Sequence, residues 1–225
     1  YNTYSFFALY ANLDNFDQKA PAVPYSDRPE IDRWIISLMN TLIKDVRAAY
    51  EDYDVTLAGR LIQDFVCDHV SNWYVRLNRK RFWGSGSDRD KLAAYQTLYE
   101  VLRNIAVLSA PIAPFFMDRL YLDLVPDGEE SVHYAMMPEP DCSLIDKDLE
   151  ERMELAQRAS SMVLALRRKV NIKVRQPLSK LVIPVISDKV RGQLEKVKDI
   201  ILGEVNVKEA EFISDTTGII TKKIK

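Results

Sequence analysis

The sequence has little of what marks membrane, secreted or metal-binding proteins. No run of about 18 apolar residues occurs in the 225-residue chain, so we expect no membrane span. The first residues, YNTYSFFALYANLDNF, have neither a basic region nor a small-residue cleavage site, which argues against a secretory signal. Two cysteines, Cys67 and Cys142, lie far apart without CxxC spacing, so they signal neither zinc nor a disulfide framework. We therefore expect a cytoplasmic protein with reduced cysteines.

The common catalytic motifs are absent as well. GxxxxGK[ST], GxGxxG, HExxH and GxSxG do not occur. His69 lies on the core side of a predicted helix, and His133 lies in a predicted loop. We expect this chain to contain no catalytic residue, no metal ligand set and no cofactor of its own.

Glycine is scarce, and seven residues in the whole chain indicate long uninterrupted helices. Apolar residues recur at i, i+3, i+4 and i+7 over residues 29–53, and further helices are predicted at 54–83, from 88 onward and at 144–169. Pro111 and Pro114 should interrupt the helix that starts near residue 88. Helices joined by short links favour an antiparallel helical bundle.

The pattern changes after residue 171. A β-branched run at 181–186, a helix ended by Gly203, and strands at 205–213 and 218–225 around a turn at 215–218 predict a small α/β module. The predicted fold is therefore mainly α, with a bundle over residues 1–172 and an α/β module over 173–225. Because the chain has no initiating methionine and stops inside a predicted strand, we expect it to be a piece of a longer protein, with the module incomplete.

Positive charge is concentrated in two windows, although the net charge is −2. Residues 70–87 contain four basic residues and no acid, and residues 155–187 contain seven and no acid. Two basic segments in an otherwise acidic chain are typical of a protein that binds an anionic partner at one part of its surface.

The first window ends the helix predicted at 54–83. On a helical wheel, the apolar face predicted to pack in the core includes Trp73, and basic residues and Trp83 continue it toward the helix end. Tyr74 and Arg81 lie on the opposite side, which is predicted to face solvent. Cations beside an aromatic ring are typical of RNA contacts, and the candidates are Arg76, Arg79, Lys80 and Trp83. The alternative is structural, because basic residues near a helix end offset its dipole and Gly84 lies where a cap is expected.

The second window follows the last bundle helix into a segment predicted to be extended before Pro177. Its candidates are Arg167, Arg168, Lys169, Lys173 and Arg175. Here too the alternative is a solvated basic helix end with a linker.

Five blocks, in order, resemble the C-terminal part of the isoleucyl-tRNA synthetase family and cover nearly the whole chain. They are NTYSFFALYAN, EIDRWIISLMNTLI, DHVSNWYVRLNRKRFW, SAPIAPFFMDRLY and KVNIKVRQPLSKL. The fourth block is similar to valyl, leucyl and methionyl relatives too, so it indicates only a class I synthetase. The third and fifth favour the isoleucyl family.

The resemblance implies an anticodon-binding domain of an enzyme that joins isoleucine to its tRNA at the expense of ATP. The ATP signatures of the class, HIGH-like and KMSKS-like, are absent here and are expected upstream, as is the editing domain. The cysteine clusters that carry zinc in some members are also absent from this sequence. The expected partners are isoleucine-specific tRNA and those upstream domains, in a monomer. The nine basic and aromatic candidates would grip the anticodon stem and loop together, with phosphate contacts positioning it and ring or amide contacts reading bases.

The residues leave two alternatives open. The chain could be the equivalent domain of valyl-tRNA synthetase, or a non-enzymatic helical scaffold whose basic windows dock an acidic protein.

Overall fold

The computed structural model describes residues 1–84, 89–185 and 187–214, which fall into two compact units, Tyr1–Lys147 and Asp148–Lys225. The first unit is helical and the second contains a small sheet, which confirms the predicted fold class. The division lies ahead of the domain boundary predicted at residues 172 and 173, which stays a prediction. Among the described residues, no helix combines the length and apolar character needed to cross a bilayer.

The N-terminal unit consists of successive helices. They are α1 (Asn2–Leu13), α2 (Glu30–Glu51), α3 (Val55–Asp64), a π-helix (Phe65–Val75), α4 (Arg76–Trp83), α5 (Arg89–Ser109) and α6 (Pro114–Leu124). The α3, π and α4 segments follow one another without a break, and the Asp54 side chain caps their start by accepting a hydrogen bond from the Leu57 amide at 2.8 Å.

Helix α2 lies in the core of this unit. Its apolar residues recur at helical spacing, and Trp34, Ile35 and Val46 are 0–1% exposed. Asp32 shares this buried face and is itself 0% exposed. A carboxylate on the core side of a helix needs hydrogen-bond donors from a neighbouring element, because burying an unpaired charge is unfavourable.

Aromatic rings join α1, α4 and α5. Phe16 stacks on Tyr95 with 5.2 Å between ring centroids, and Phe82 meets Tyr95 edge-on at 5.0 Å and Phe6 at 5.2 Å. Rings in these arrangements contribute beyond their buried area. The α4 helix is therefore packed against the unit through Phe82.

Prolines divide α5 from α6 as predicted. Helix α5 ends at Ser109, and α6 begins at Pro114, where a missing backbone donor is tolerated. The following loop lies along α2, since Asn40 Oδ1 and Ser37 Oγ accept hydrogen bonds from the amides of Asp141 and Asp146, each at 2.8 Å.

The C-terminal unit contains most of α7 (Lys147–Lys169), then β1 (Leu178–Pro184), α8 (Asp188–Lys196), α9 (Lys198–Val205) and β2 (Val207–Ile213). The two strands are parallel, with Leu178 opposite Val207. The prediction that Gly203 ends a single helix is wrong, because there are two helices and the second ends at Val205, followed by Asn206 in the left-handed conformation. The strand predicted at 218–225 and the turn at 215–218 lie outside the described residues.

Candidate nucleic-acid interface

Helix α4 presents a cationic and aromatic face to solvent. Arg76, Arg79, Lys80 and Trp83 are all exposed, and the Trp83 residue is 56% accessible. Their spacing of i, i+3, i+4 and i+7 places them on one side of the helix. The opposite side carries the buried residues Asn78 and Phe82. The structure thus brings the four α4 candidates together on one surface.

The π-helix before α4 determines which residues reach that surface. Its i→i+5 bonding winds the chain less per residue than α bonding does, so the faces predicted from a regular wheel shift along it. Trp73 and Tyr74 are both buried, at 4% and 0% exposure. The prediction that Tyr74 faces solvent is therefore wrong, and the core stripe does not run directly into the cationic face.

Arg81 also departs from its predicted position on a solvated flank. Its side chain is only 15% exposed and forms ion pairs with Asp32, at 0% exposure, and Asp90, at 50% exposure. Nη1 and Nη2 donate to Asp32 Oδ1 and Oδ2 at 2.7 and 2.9 Å, and Nε and Nη2 donate to the two Asp90 carboxylate oxygens at 2.9 and 2.8 Å. A fifth and a sixth bond reach Asn78 Oδ1 at 3.0 Å and the Asp90 carbonyl at 2.8 Å.

The electrostatics of this cluster favour a charged Arg81 and a neutral Tyr74. Burial by itself would lower the pKa of Arg81, but hydrogen bonding to Asp32 and the Asp32 charge reverse that effect and raise the pKa above its ordinary value. Burial first, and then the Asp32 charge, raise the pKa of Tyr74 well above its usual range. Tyr74 therefore stays neutral and donates its hydroxyl proton to Asp32 Oδ1 at 2.8 Å.

Asp32 and Asp90 were not predicted from the sequence as partners of the basic helix. One signal was present for Asp32, because its i+3, i+4 and i+7 positions are apolar and place it on the core face of α2. Its pairing with a residue 49 positions away has no local signature.

The end of α4 is held by a buried lysine. Lys91, 5% exposed, donates from Nζ to the Gly84 carbonyl at 2.8 Å and forms an ion pair with Asp14. Gly84 has φ −60° and ψ 142°, so the helix ends in an extended residue with a side-chain donor at its carbonyl. The left-handed glycine cap common at helix ends is not used here.

The second basic window lies in the C-terminal unit. Arg168, Lys169, Lys173 and Arg175 are exposed there. The segment after α7 is a compact turn, in which the Gln176 amide bonds to the Lys173 carbonyl at 3.0 Å and Asn206 Nδ2 to the Val174 carbonyl at 2.8 Å. It is therefore not the extended stretch that Pro177 predicted.

Arg167 does not belong with those exposed cations. It is 3% exposed and donates five hydrogen bonds of 2.9–3.3 Å to four backbone carbonyls, those of Lys173, Gln176, Val205 and Asn206. A guanidinium with its donors engaged in this way is a structural residue of its unit. We remove Arg167 from the predicted contact set for that reason.

The two basic windows belong to different compact units, and the expectation that they grip one RNA together stays a prediction. In the part of the chain that the structure describes, no group of three or more His, Cys, Asp or Glu could hold a metal ion. Cys67 and Cys142 are free and exposed. His69 packs near the Trp34 and Phe65 rings, at 6.0 and 6.3 Å.

Comparison with known proteins gives a consistent family. The profile described as "Anticodon-binding domain of tRNA ligase" matches residues 32–183. The isoleucine–tRNA ligase of Bacteroides fragilis is 57% identical over 229 aligned residues, covering 100% of this chain and 20% of that protein. The isoleucine–tRNA ligases of Porphyromonas gingivalis and Thermus thermophilus are 56% and 40% identical, also over 100% of this chain and over 20% and 22% of their own lengths.

The chain thus spans about a fifth of the length of these curated relatives. The matched span includes α4, the residues Asp32, Tyr74 and Asp90 that surround Arg81, and the basic turn after α7. On the strength of that match, the chain belongs to the family of anticodon-binding domains of tRNA ligases.

Proposed function

We propose that this chain recognises the anticodon stem and loop of isoleucine-specific tRNA as one part of an isoleucine–tRNA ligase. The full protein would join isoleucine to tRNA with ATP in the cytoplasm, as a monomer, with its catalytic and editing domains elsewhere in the polypeptide. The relatives at 40–57% identity are named isoleucine–tRNA ligase, which favours this substrate over the valyl alternative. ATP, and any zinc, would belong to those other domains.

The observation that carries the proposal is the solvent face of α4. Within the described residues, Arg79 and Lys80 have no carboxylate partner, whereas their neighbour Arg81 is fully engaged. Exposed cations without competing ion pairs remain available for phosphate oxygens. The adjacent Trp83 ring has room to stack on an unpaired base, as a loop of folded RNA would offer.

Each group on this face has a separate role. Arg76, Arg79 and Lys80 would contact phosphates and position the RNA without reading its sequence. Trp83 would stack on a base, a contact worth ~1–3 kcal/mol. Arg168, Lys169, Lys173 and Arg175 would contribute further phosphate contacts from the C-terminal unit.

The test is the salt dependence of tRNA binding by the full-length protein. The double substitution Arg79→Ala with Lys80→Ala should weaken binding and reduce the magnitude of the slope of log affinity against log salt by roughly 1.5, since each phosphate contact contributes about 0.7–0.9. Lys44→Ala with Arg60→Ala removes two exposed cations from α2 and α3 and serves as the charge-matched control. Equal slopes for both variants and wild type would remove α4 from the interface.

A second measurement addresses Trp83. Trp83→Leu should reduce aminoacylation of full tRNA while leaving a minihelix without an anticodon arm unaffected, because only the full tRNA offers a loop base for stacking. Equal losses on both substrates would place the effect of Trp83 outside anticodon recognition. For the scaffold alternative, equal binding of tRNA and of a duplex with the same charge at low salt would be the supporting result.

A further inference from the structure

The cationic face of α4 lies beside a set of largely buried hydrogen bonds and ion pairs centred on Arg81. Arg81 links α4 to α2 through Asp32 and to the start of α5 through Asp90. Paired, two-point contacts between a guanidinium and a carboxylate fix orientation as well as distance. The rotation of α4 about its own axis is therefore constrained at the residue next to Lys80.

The Asp32 carboxylate is itself fixed. It is fully buried, and besides Arg81 it accepts the hydroxyl proton of Tyr74, which is also fully buried in the π-helix. Asn78 ties into the same cluster by donating to the Tyr74 carbonyl at 2.8 Å while its own Oδ1 accepts from Arg81. One network thus joins α2, the π-helix, α4 and α5.

Two further contacts hold the last turn of α4 without using Arg81. The Phe82 ring, 1% exposed, lies edge-on to the rings of Phe6 and Tyr95. Lys91 binds the Gly84 carbonyl. The side of α4 opposite its solvent face is therefore fixed along the turn that carries Lys80 and Trp83.

We propose that Arg81, clamped between Asp32 and Asp90, is a positioning residue that sets the α4 face in its RNA-binding orientation before RNA arrives. This inference rests on the proposed function and extends it to a residue that does not touch the RNA. Preorganisation of this kind raises affinity because the ordering of the binding groups takes place during folding.

Asp32→Asn is the sharpest test, because it preserves the shape and the acceptor oxygen but weakens the clamp. It also removes a negative charge, which by simple electrostatics would favour RNA. We expect tRNA affinity of the full-length protein to fall about tenfold nonetheless, through lost preorganisation. Asp45→Asn, an exposed acid on the same helix, is the matched control and should not weaken binding.

Arg81→Lys is the second variant. It keeps the positive charge, but an ammonium group cannot make the forked contacts to both carboxylates, so it should also weaken binding. Amide hydrogen exchange over residues 76–83 should accelerate in both variants while the centre of α2 stays protected. Measurements at about 10 °C, well below the unfolding transition of each variant, separate positioning from loss of fold.

A background experiment separates the two proposals. If Arg81 acts through the α4 face, Asp32→Asn should cause a smaller loss than in wild type when the protein already carries Arg79→Ala with Lys80→Ala, because only Arg76 and Trp83 remain on that face to be positioned. Full additivity, or wild-type affinity and exchange for Asp32→Asn, would overturn the positioning role alone. Wild-type affinity for Arg79→Ala with Lys80→Ala would overturn the proposed interface and the positioning role with it.

Discussion

Replacing Arg167 by Met should destabilise the C-terminal unit strongly, although sequence alone places this residue on a basic surface. Its guanidinium serves four backbone carbonyls. Two of them keep another donor, since the Gln176 amide bonds to the Lys173 carbonyl and the Leu178 amide to the Asn206 carbonyl. The carbonyls of Val205 and Gln176 lose their side-chain donor.

The magnitude follows from the Val205 carbonyl, because Val205 is fully buried whereas Gln176 is exposed and its carbonyl can bind water instead. A buried acceptor left without a partner costs about 1–3 kcal/mol, so the loss should be about 2 kcal/mol in the free energy of unfolding of this unit. Met preserves much of the side-chain volume, which limits any additional cavity. A change of this size corresponds to roughly thirtyfold faster exchange of those amides that exchange only when the unit opens.

Peptide-resolved hydrogen exchange is the appropriate assay, because it reports on β1 and β2 separately from the helical unit. All three tryptophans lie in the helical unit, so their fluorescence serves as the internal reference. Arg168→Met removes an exposed cation from the adjacent position and should leave exchange unchanged. Exchange rates in Arg167→Met that stay close to those of wild type would refute the structural role of this guanidinium.

Three further predictions concern the helical unit. Hydrogen bonds from Lys91 and then Tyr95 lower the pKa of Asp14. The Asp14 carboxylate therefore stabilises the fold above its ordinary pKa of about 3.9, and this contribution is lost as the pH falls below that value. The difference in unfolding free energy between wild type and Asp14→Asn, measured by urea unfolding, should shrink as the pH is lowered through this range. Tyr53 is 91% exposed with φ 57°, so Tyr53→Gly should raise unfolding stability by ~1 kcal/mol. A Cβ added at Gly128 would stand 2.7 and 2.8 Å from neighbouring side-chain atoms, so Gly128→Ala should lower the melting temperature through a loss of ~1–3 kcal/mol.

Local pattern was sufficient to locate most helices, because apolar periodicity directly encodes which face is buried. The helix predicted at 29–53 is found at Glu30–Glu51, and the predicted proline break falls between α5 and α6. The α4 candidates also share one solvent face as their spacing requires. These features depend only on residues within a few turns of one another.

Pairing across long sequence separations could not be predicted in the same way. Arg81 and Arg167 look like any other surface cation in the sequence, and only the fold supplies Asp32 to one and the Val205 carbonyl to the other. Composition likewise gives no means to distinguish a π-helix from an α-helix, which is why Tyr74 was assigned to the wrong face. The parallel pairing of β1 with β2 is a further non-local result.

The π-helix also determines the direction in which the solvent face of α4 points relative to α3. Converting Phe65–Val75 to α geometry with the same number of residues would turn everything downstream relative to α3, because α bonding winds the chain more per residue. Arg79 and Lys80 would then point in a different direction, and Arg81 would no longer reach Asp32 and Asp90. A chimaera that replaces Phe65–Val75 with an ordinary α-helix must therefore preserve the total helical rotation between α3 and α4 rather than the number of residues.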